Sequence, residues 1–178
     1  NKVPQVAMMA TNLADILRLC ISPEEFVPLY REMEILQRYI EIQKVRLGDD
    51  FAFRVSIPEE LYDCMVPKMI LQPIVENAVI HGIKENVPLT IRLKAWVGKE
   101  MLYISIIDDG KGFDQEKAGE DGVPKSSKMS GIGLHNVKDR LYLAYKDNQS
   151  FSINSVQGQG TEVQMTMPYT EWKEESDV

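Results

Sequence analysis

The stretch Leu71-Gln72-Pro73-Ile74-Val75-Glu76-Asn77-Ala78-Val79-Ile80-His81-Gly82 decides how this chain folds. Read as a helix, with Met69 and Ile70 ahead of it, it is apolar almost all round. Such a helix is buried. Its middle nevertheless carries Glu76 and Asn77. A buried polar group without a partner is costly. Either the fold supplies partners, or the helix lines a pocket whose ligand does. Pro67 suits the helix start. Pro73 removes a backbone donor, so it kinks the helix or lies near its effective start. Gly82 is the expected stop.

Working outward, residues 5–20 show helical spacing, with Val6, Met9, Leu13, Ile16, Leu17 and Cys20 on one face. Ile21-Ser22-Pro23 breaks it. Ser22 can cap a second helix with Pro23 at its first position, running to about Leu47 and ended by Gly48. Leu29, Met33, Leu36, Tyr39, Ile40 and Gln43 give that helix its face, and the two helices make a hairpin. Residues 51–57 alternate and read as a strand. Beyond Gly82, residues 89–97 and 101–107 are two strands joined by a short Gly98-Lys99-Glu100 turn. The stretch 115–130 is polar, small and charged, long for a loop in a compact domain and therefore functional or disordered. Residues 132–145 return to helical spacing. Residues 151–156 and 162–167 are strands around Gly158-Gln159-Gly160. Hairpins plus helices predict an α+β fold, with helices on one face of a mixed, mainly antiparallel sheet and a helical hairpin at the N-terminus. The expected division is a helical segment over 1–48, a domain over 49–170 and an acidic tail over 171–178.

A chain of 178 residues suits one domain with an appendage. Its net charge of −7 argues against a nucleic-acid surface, which wants a basic footprint. Cys20 and Cys64 have neither metal nor redox spacing and read as small core residues of a reducing, cytosolic compartment. No apolar run is long enough to span a bilayer. The chain begins at Asn1, so a fragment is expected, with a membrane anchor upstream.

Three glycine clusters follow the opening stretch in order: Asp108-Asp109-Gly110-Lys111-Gly112, Gly131-Ile132-Gly133-Leu134 and Gly158-Gln159-Gly160-Thr161. Each alone is a weak signal. The ordered set resembles the asparagine box and the three glycine boxes of the GHKL ATPases, the superfamily of gyrase, Hsp90, histidine kinases and MutL. The wording LQPIVENAVIHG followed by GIGLHNVKDRL is most similar to LytS/YesM-type sensor histidine kinases. The likeness runs from about Leu13 to Pro168.

The resemblance implies a Bergerat-type ATP-binding sandwich, with ATP and Mg²⁺ as cofactors. It makes Asn77 the Mg²⁺ ligand, a role a neutral amide oxygen suits because Mg²⁺ takes few protein ligands beside phosphates. It makes Asp108 the acceptor of the adenine amine, which guanine cannot offer in its place. Gly110 and Gly112 bring the backbone to the base, and Thr161 stands near Asp108. Gly131, Gly133 and Leu134 open a helix whose free N–H groups favour phosphates. The 115–130 loop becomes a lid, with Lys125 and Lys128 offering charge to phosphates. Two departures stand out. Hydrolytic members place a general-base glutamate where this chain has Pro73; Glu76 is the nearby carboxylate and the second catalytic candidate beside Asn77. Many histidine kinases carry a base where Ile80 stands; His81 can face a phosphate instead, or Lys128 or Lys138 can compensate. His135 reads as a surface or packing residue.

The implied activity is transfer of the ATP γ-phosphate to a histidine upstream of the fragment, because neither His81 nor His135 lies in an acceptor context. The implied partners are the upstream phosphoacceptor domain, a second kinase subunit in a homodimer and a response regulator receiver domain, with no nucleic acid. The domain is expected to be cytoplasmic and the full-length protein anchored in the cell membrane. The alternatives are a non-kinase nucleotide-binding adaptor and a GHKL ATPase.

Overall fold

The computed structural model describes residues 23–85, 87–114 and 130–171. The predicted strands all form: β2 (Phe51–Ser56), β4 (Leu89–Gly98), β5 (Met101–Asp108), β6 (Ser150–Val156) and β7 (Gly160–Pro168). They make one sheet in the order β2-β4-β5-β7-β6, parallel only between β2 and β4. β5 is therefore its central strand. Side chains alternate across a strand, so Leu102, Ile104 and Ile106 of β5 share one face, as do Ile91, Leu93 and Ala95 of β4. That face meets three helices: α1 (Leu29–Leu47), α2 (Gln72–Gly82) and α3 (Ser130–Tyr145). The expected α+β sandwich, with helices on one face of a mainly antiparallel sheet, is what forms. On the opposite face Trp96 stacks on its cross-strand partner Tyr103, with centroids 5.3 Å apart.

Two helix starts differ from expectation. α1 begins at Leu29, not near Pro23. Pro28 disfavours helical backbone at Val27, and Phe26–Pro28 is instead strand β1, paired antiparallel with β3 (Met65–Pro67). Pro67 accordingly lies in a strand and does not start α2. That helix starts at Gln72 with Pro73 in its first turn, where a missing donor costs nothing. Before it the chain turns sharply at Met69, whose φ is +62°. The first arm of the expected hairpin and the 115–129 stretch lie outside the described residues.

α1 packs Leu29, Leu36, Tyr39 and Ile40 into the same cluster as the sheet. Glu32, which the helical face was not expected to include, is only 2% exposed. α2 is less wrapped than its sequence implies: it packs on α1, α3 and strands β4, β5 and β7, leaving Ile80 63% exposed. Cys64 is a buried free thiol, as expected; Cys20 is outside the described residues.

Candidate functional site

The C-terminal end of β5 carries Asp108, flanked in register by Ile91 of β4 and Thr161 of β7. Placement at the end of the middle strand leaves its side chain 7% exposed. The Gly110 N–H donates to Asp108 Oδ1 at 2.9 Å. The turn after Asp108 is pressed against the end of α2. A Cβ at Gly110 would overlap the Gly82 backbone, and the Lys111 N–H donates to the Gly82 carbonyl at 3.0 Å. Gly112 has φ +55° and closes on the Val156 carbonyl, a conformation that a side chain would strain.

The β6–β7 turn joins the same place. Gly158 N–H donates to the Lys111 carbonyl at 2.6 Å. Ser155 Oγ accepts from the Phe113 N–H at 2.9 Å, donates to the Gly160 carbonyl at 3.1 Å and meets Thr161 Oγ1 at 2.9 Å. Lys84 Nζ donates to the carbonyls of Asp109 and Gly158 at 2.9 and 3.0 Å. The first and third glycine clusters and the end of α2 thus form one hydrogen-bonded rim about Asp108. Ser155 and Lys84 were not foreseen. Apart from Thr161 Oγ1, which meets Ser155, their partners are backbone carbonyls and amides, which leave no mark in a sequence. Asp109 is half-buried, and its Oδ1 accepts from the Thr90 N–H at 2.7 Å.

On α2, Asn77 is half-buried, five residues and so about 7.5 Å of helix before Gly82. Glu76, about 100° round the helix, turns elsewhere: Gln72 Nε2 donates to its Oε1 at 3.1 Å. Tyr39 of α1 senses that carboxylate; its phenol is pushed up to about 12, by burial first and then by Glu76. His81 lies in an exposed position on the last turn. Partial shielding of its ring, and then the Lys111 charge, lower its pKa, favouring neutral imidazole. α3 contains Gly131 and Gly133 at its start and buries Leu134. Gly133 sits where a Cβ would stand 3.4 Å from Pro73 Cβ, so the first turns of α2 and α3 touch. His135 is exposed on α3. No cluster of three His, Cys, Asp or Glu occurs among the described residues. A separate concavity of about 800 Å³, lined by Glu25, Phe26, Lys68, Asp139, Arg140 and Leu143 among others, shares no residue with this rim.

A one-sided helical layer over a mixed sheet, with glycine turns gathered at a buried strand-end aspartate, defines a nucleotide-binding ATPase domain. Residues 65–171 match the family of histidine kinase-, DNA gyrase B-, and HSP90-like ATPases, and the chain belongs to that family. Residues 1–51 match the histidine kinase family model. The chain is 29% identical over 170 residues to sensor histidine kinase YesM of Bacillus subtilis, covering 94% of this chain and 28% of that protein. It is 30% identical over 162 residues to sensor protein LytS of Oceanobacillus iheyensis, covering 87% and 27%. The chain thus spans about a quarter of the length of these relatives. The fold resembles the mycobacterial sensor histidine kinase MprB, with a TM-score of 0.60, 17% identity and coverage of 83% of this chain and 99% of that one. It also resembles the Acinetobacter baumannii histidine kinase AdeS, with a TM-score of 0.58, 13% identity and coverage of 94% and 80%. The chain carries an ATP-binding domain of the sensor histidine kinase type.

Burial pushes the Asp108 carboxyl up from an ordinary 3.8 to about 6, against the N–H groups of Gly110 and Thr161. The folded carboxyl therefore holds its proton more tightly than the unfolded one. Its contribution to stability is fully present below the unfolded value and is lost as pH rises through about 6. Asp108→Asn cannot ionise and escapes that loss. From about pH 4 to 7 the wild type should lose ~2–3 kcal/mol relative to Asp108→Asn, since each tenfold difference in proton affinity is worth roughly 1.4 kcal/mol. Urea unfolding of both chains across that range measures it; a flat difference would contradict the burial of this carboxyl.

Proposed function

We propose that the chain is the ATP-binding catalytic domain of a two-component sensor histidine kinase, transferring the γ-phosphate of ATP to a histidine upstream of residues 1–178. The observation that carries this is the buried Asp108, set at the end of the central strand and walled by the turns of the first and third glycine clusters. A carboxylate there accepts the adenine amine. Gly110 and Gly112 hold the backbone close to the base, and Thr161 borders it.

Asn77 offers a half-buried amide that makes no side-chain hydrogen bond to another described residue. One neutral oxygen fits Mg²⁺, which keeps most of its ligands as phosphate and water. Bound there, Mg²⁺ would neutralise charge on the ATP phosphates. Gly131, Gly133 and Leu134 place the start of α3, with its free N–H groups, beside α2 for the phosphates. His81, favoured as the neutral base, gives a phosphate a hydrogen bond and no charge. Glu76 remains the second catalytic candidate, held by Gln72 on the α1 side of the helix. Pro73 offers no proton acceptor where hydrolytic relatives carry glutamate, which favours transfer to a positioned imidazole over activation of water.

In this reading residues 1–48 end the dimerisation and phosphoacceptor region, with α1 packed on the catalytic domain of 49–170 and an acidic tail over 171–178. The full-length protein is a homodimer whose phosphoryl group passes to a response regulator receiver domain. It is anchored in the cell membrane with this domain in the cytoplasm. No helix among the described residues is long and apolar enough to cross a membrane.

Calorimetry tests the site. Asp108→Asn should weaken ATP roughly tenfold or more, the worth of a hydrogen bond to a charged group, and lower the preference over GTP. Asn77→Ala should remove most of the Mg²⁺ dependence. Unchanged binding in both variants would sink the assignment.

Labelling tests the reaction. Radioactive ATP should leave this 178-residue chain unlabelled, whereas a chain extended upstream should acquire phosphate stable to base and lost in acid. Labelling of the short chain that His81→Gln or His135→Gln abolishes would show the acceptor to be misplaced.

A further inference from the structure

Glu32 lies on α1, outside the matched ATPase residues 65–171, yet it reaches the helix that carries Asn77. Its carboxylate accepts three successive backbone N–H groups: Met69 at 2.7 Å through Oε1, and Ile70 and Leu71 at 3.0 and 3.1 Å through Oε2. These residues lead directly into α2, and no side chain of the N-cap residue Leu71 caps the helix. The first N–H groups of a helix have no intrahelical partner, and its N-terminus favours negative charge. Glu32 brings negative charge to that end from a different helix and bonds the N–H of the N-cap residue Leu71 and of the two residues before it.

The same turn is gripped from a second side. Arg140 of α3 donates to the Lys68 carbonyl, one residue before Met69, and its charge favours the ionised form of Glu32. Burial pushes the carboxyl up; the N–H groups of Leu71, Met69 and Ile70, and then Arg140, oppose that. Met69 holds a left-handed φ of +62°, uncommon for a residue with a side chain. The short bond to Glu32 holds it there. Replacing the carboxylate takes the acceptor away from the buried Ile70 and Leu71 N–H groups and from the half-buried Met69 N–H, and so loosens the turn.

We infer that Glu32 is a positioning residue for the nucleotide site, fixing where α2 begins and so where Asn77 meets the metal and phosphates of ATP. This rests on the ATP-binding function proposed above. α2 behaves as a rod of hydrogen-bonded turns. With its C-terminal end held at Gly82 against the turn after Asp108, a displaced start pivots the rod and shifts Asn77, while Asp108, fixed by the sheet, stays in place. The signature is selective: binding of the base is kept, and the gain that Mg²⁺ adds is lost.

Glu32→Gln and Glu32→Ala, compared with wild type, test it by calorimetry with ATP in Mg²⁺ and in EDTA. Amide hydrogen exchange of the nucleotide-free chains is followed in parallel. Exchange should quicken at residues 69–75 and stay unchanged in β4 and β5. Affinity in Mg²⁺ should fall roughly tenfold in Glu32→Ala and less in Glu32→Gln, which keeps one carbonyl acceptor, with affinity in EDTA within about twofold of wild type. Should Glu32→Ala fail to fold, by circular dichroism, the same selective loss is required of Glu32→Gln. Equal losses in Mg²⁺ and EDTA would mean a merely structural carboxylate and overturn the inference. So would unchanged affinity, with or without faster exchange. Absence of ATP binding by the wild type would overturn the proposed function and this inference with it.

Discussion

The structure depends on keeping one carboxylate out of water at the end of its central strand. β5 runs through the middle of the sheet, so the residue that ends it, Asp108, has a strand on either side. Burying an acid is unfavourable unless hydrogen bonds compensate. The Gly110 and Thr161 N–H groups compensate only in part, and the carboxyl rises to about 6. A carboxyl perturbed by burial in this way is of the kind that clusters at binding sites. The rim of turns around it, from Gly82 to Thr161, gives the place its shape.

α2 connects this rim to the rest of the molecule. Its C-terminal end supports the turn after Asp108 through Gly82. Its N-terminal end is held by Glu32 and touches α3 where Pro73 meets Gly133. Pro73, besides opening α2, therefore also provides the surface on which the start of α3 rests. In the proposed reading the base, phosphates and metal meet three elements that share one helix, which makes the placing of that helix the controlling variable. The solved histidine kinases share this fold at identities as low as 13%, which fits a geometry set largely by backbone contacts.

Most of the architecture was legible because it rests on short-range rules. Alternation located the strand at 51–57, apolar runs on either side of the turns at Gly98 and Gly158-Gln159-Gly160 located the other strands of the main sheet, and the ordered glycine clusters, through their resemblance to the GHKL boxes, pointed to the rim. α1 was mispredicted at its start because Ser22-Pro23 is a good helix opening in isolation, while the pairing of Phe26 with Pro67 is a long-range event. Glu32 was invisible for the same reason. Its partners are backbone amides 37 or more residues away, and the only trace was an acid three positions after Leu29 on an apolar face. Ser155 and Lys84 likewise bind backbone atoms across the fold. Ile80 looked buried because periodicity reports which residues are apolar, not how many sides of a helix find neighbours. The roles of Asn77, Glu76 and His81 need a ligand to be seen.

The most direct measurement is a crystal structure of the chain with a non-hydrolysable ATP analogue and Mg²⁺. The adenine amine should lie within about 2.7–3.2 Å of the Asp108 carboxylate and the metal on the Asn77 amide oxygen, with the phosphates at the start of α3. A nucleotide seated instead in the concavity beside Arg140 and Leu143, with Asp108 still bonded only to its own turn and to β7, would contradict it.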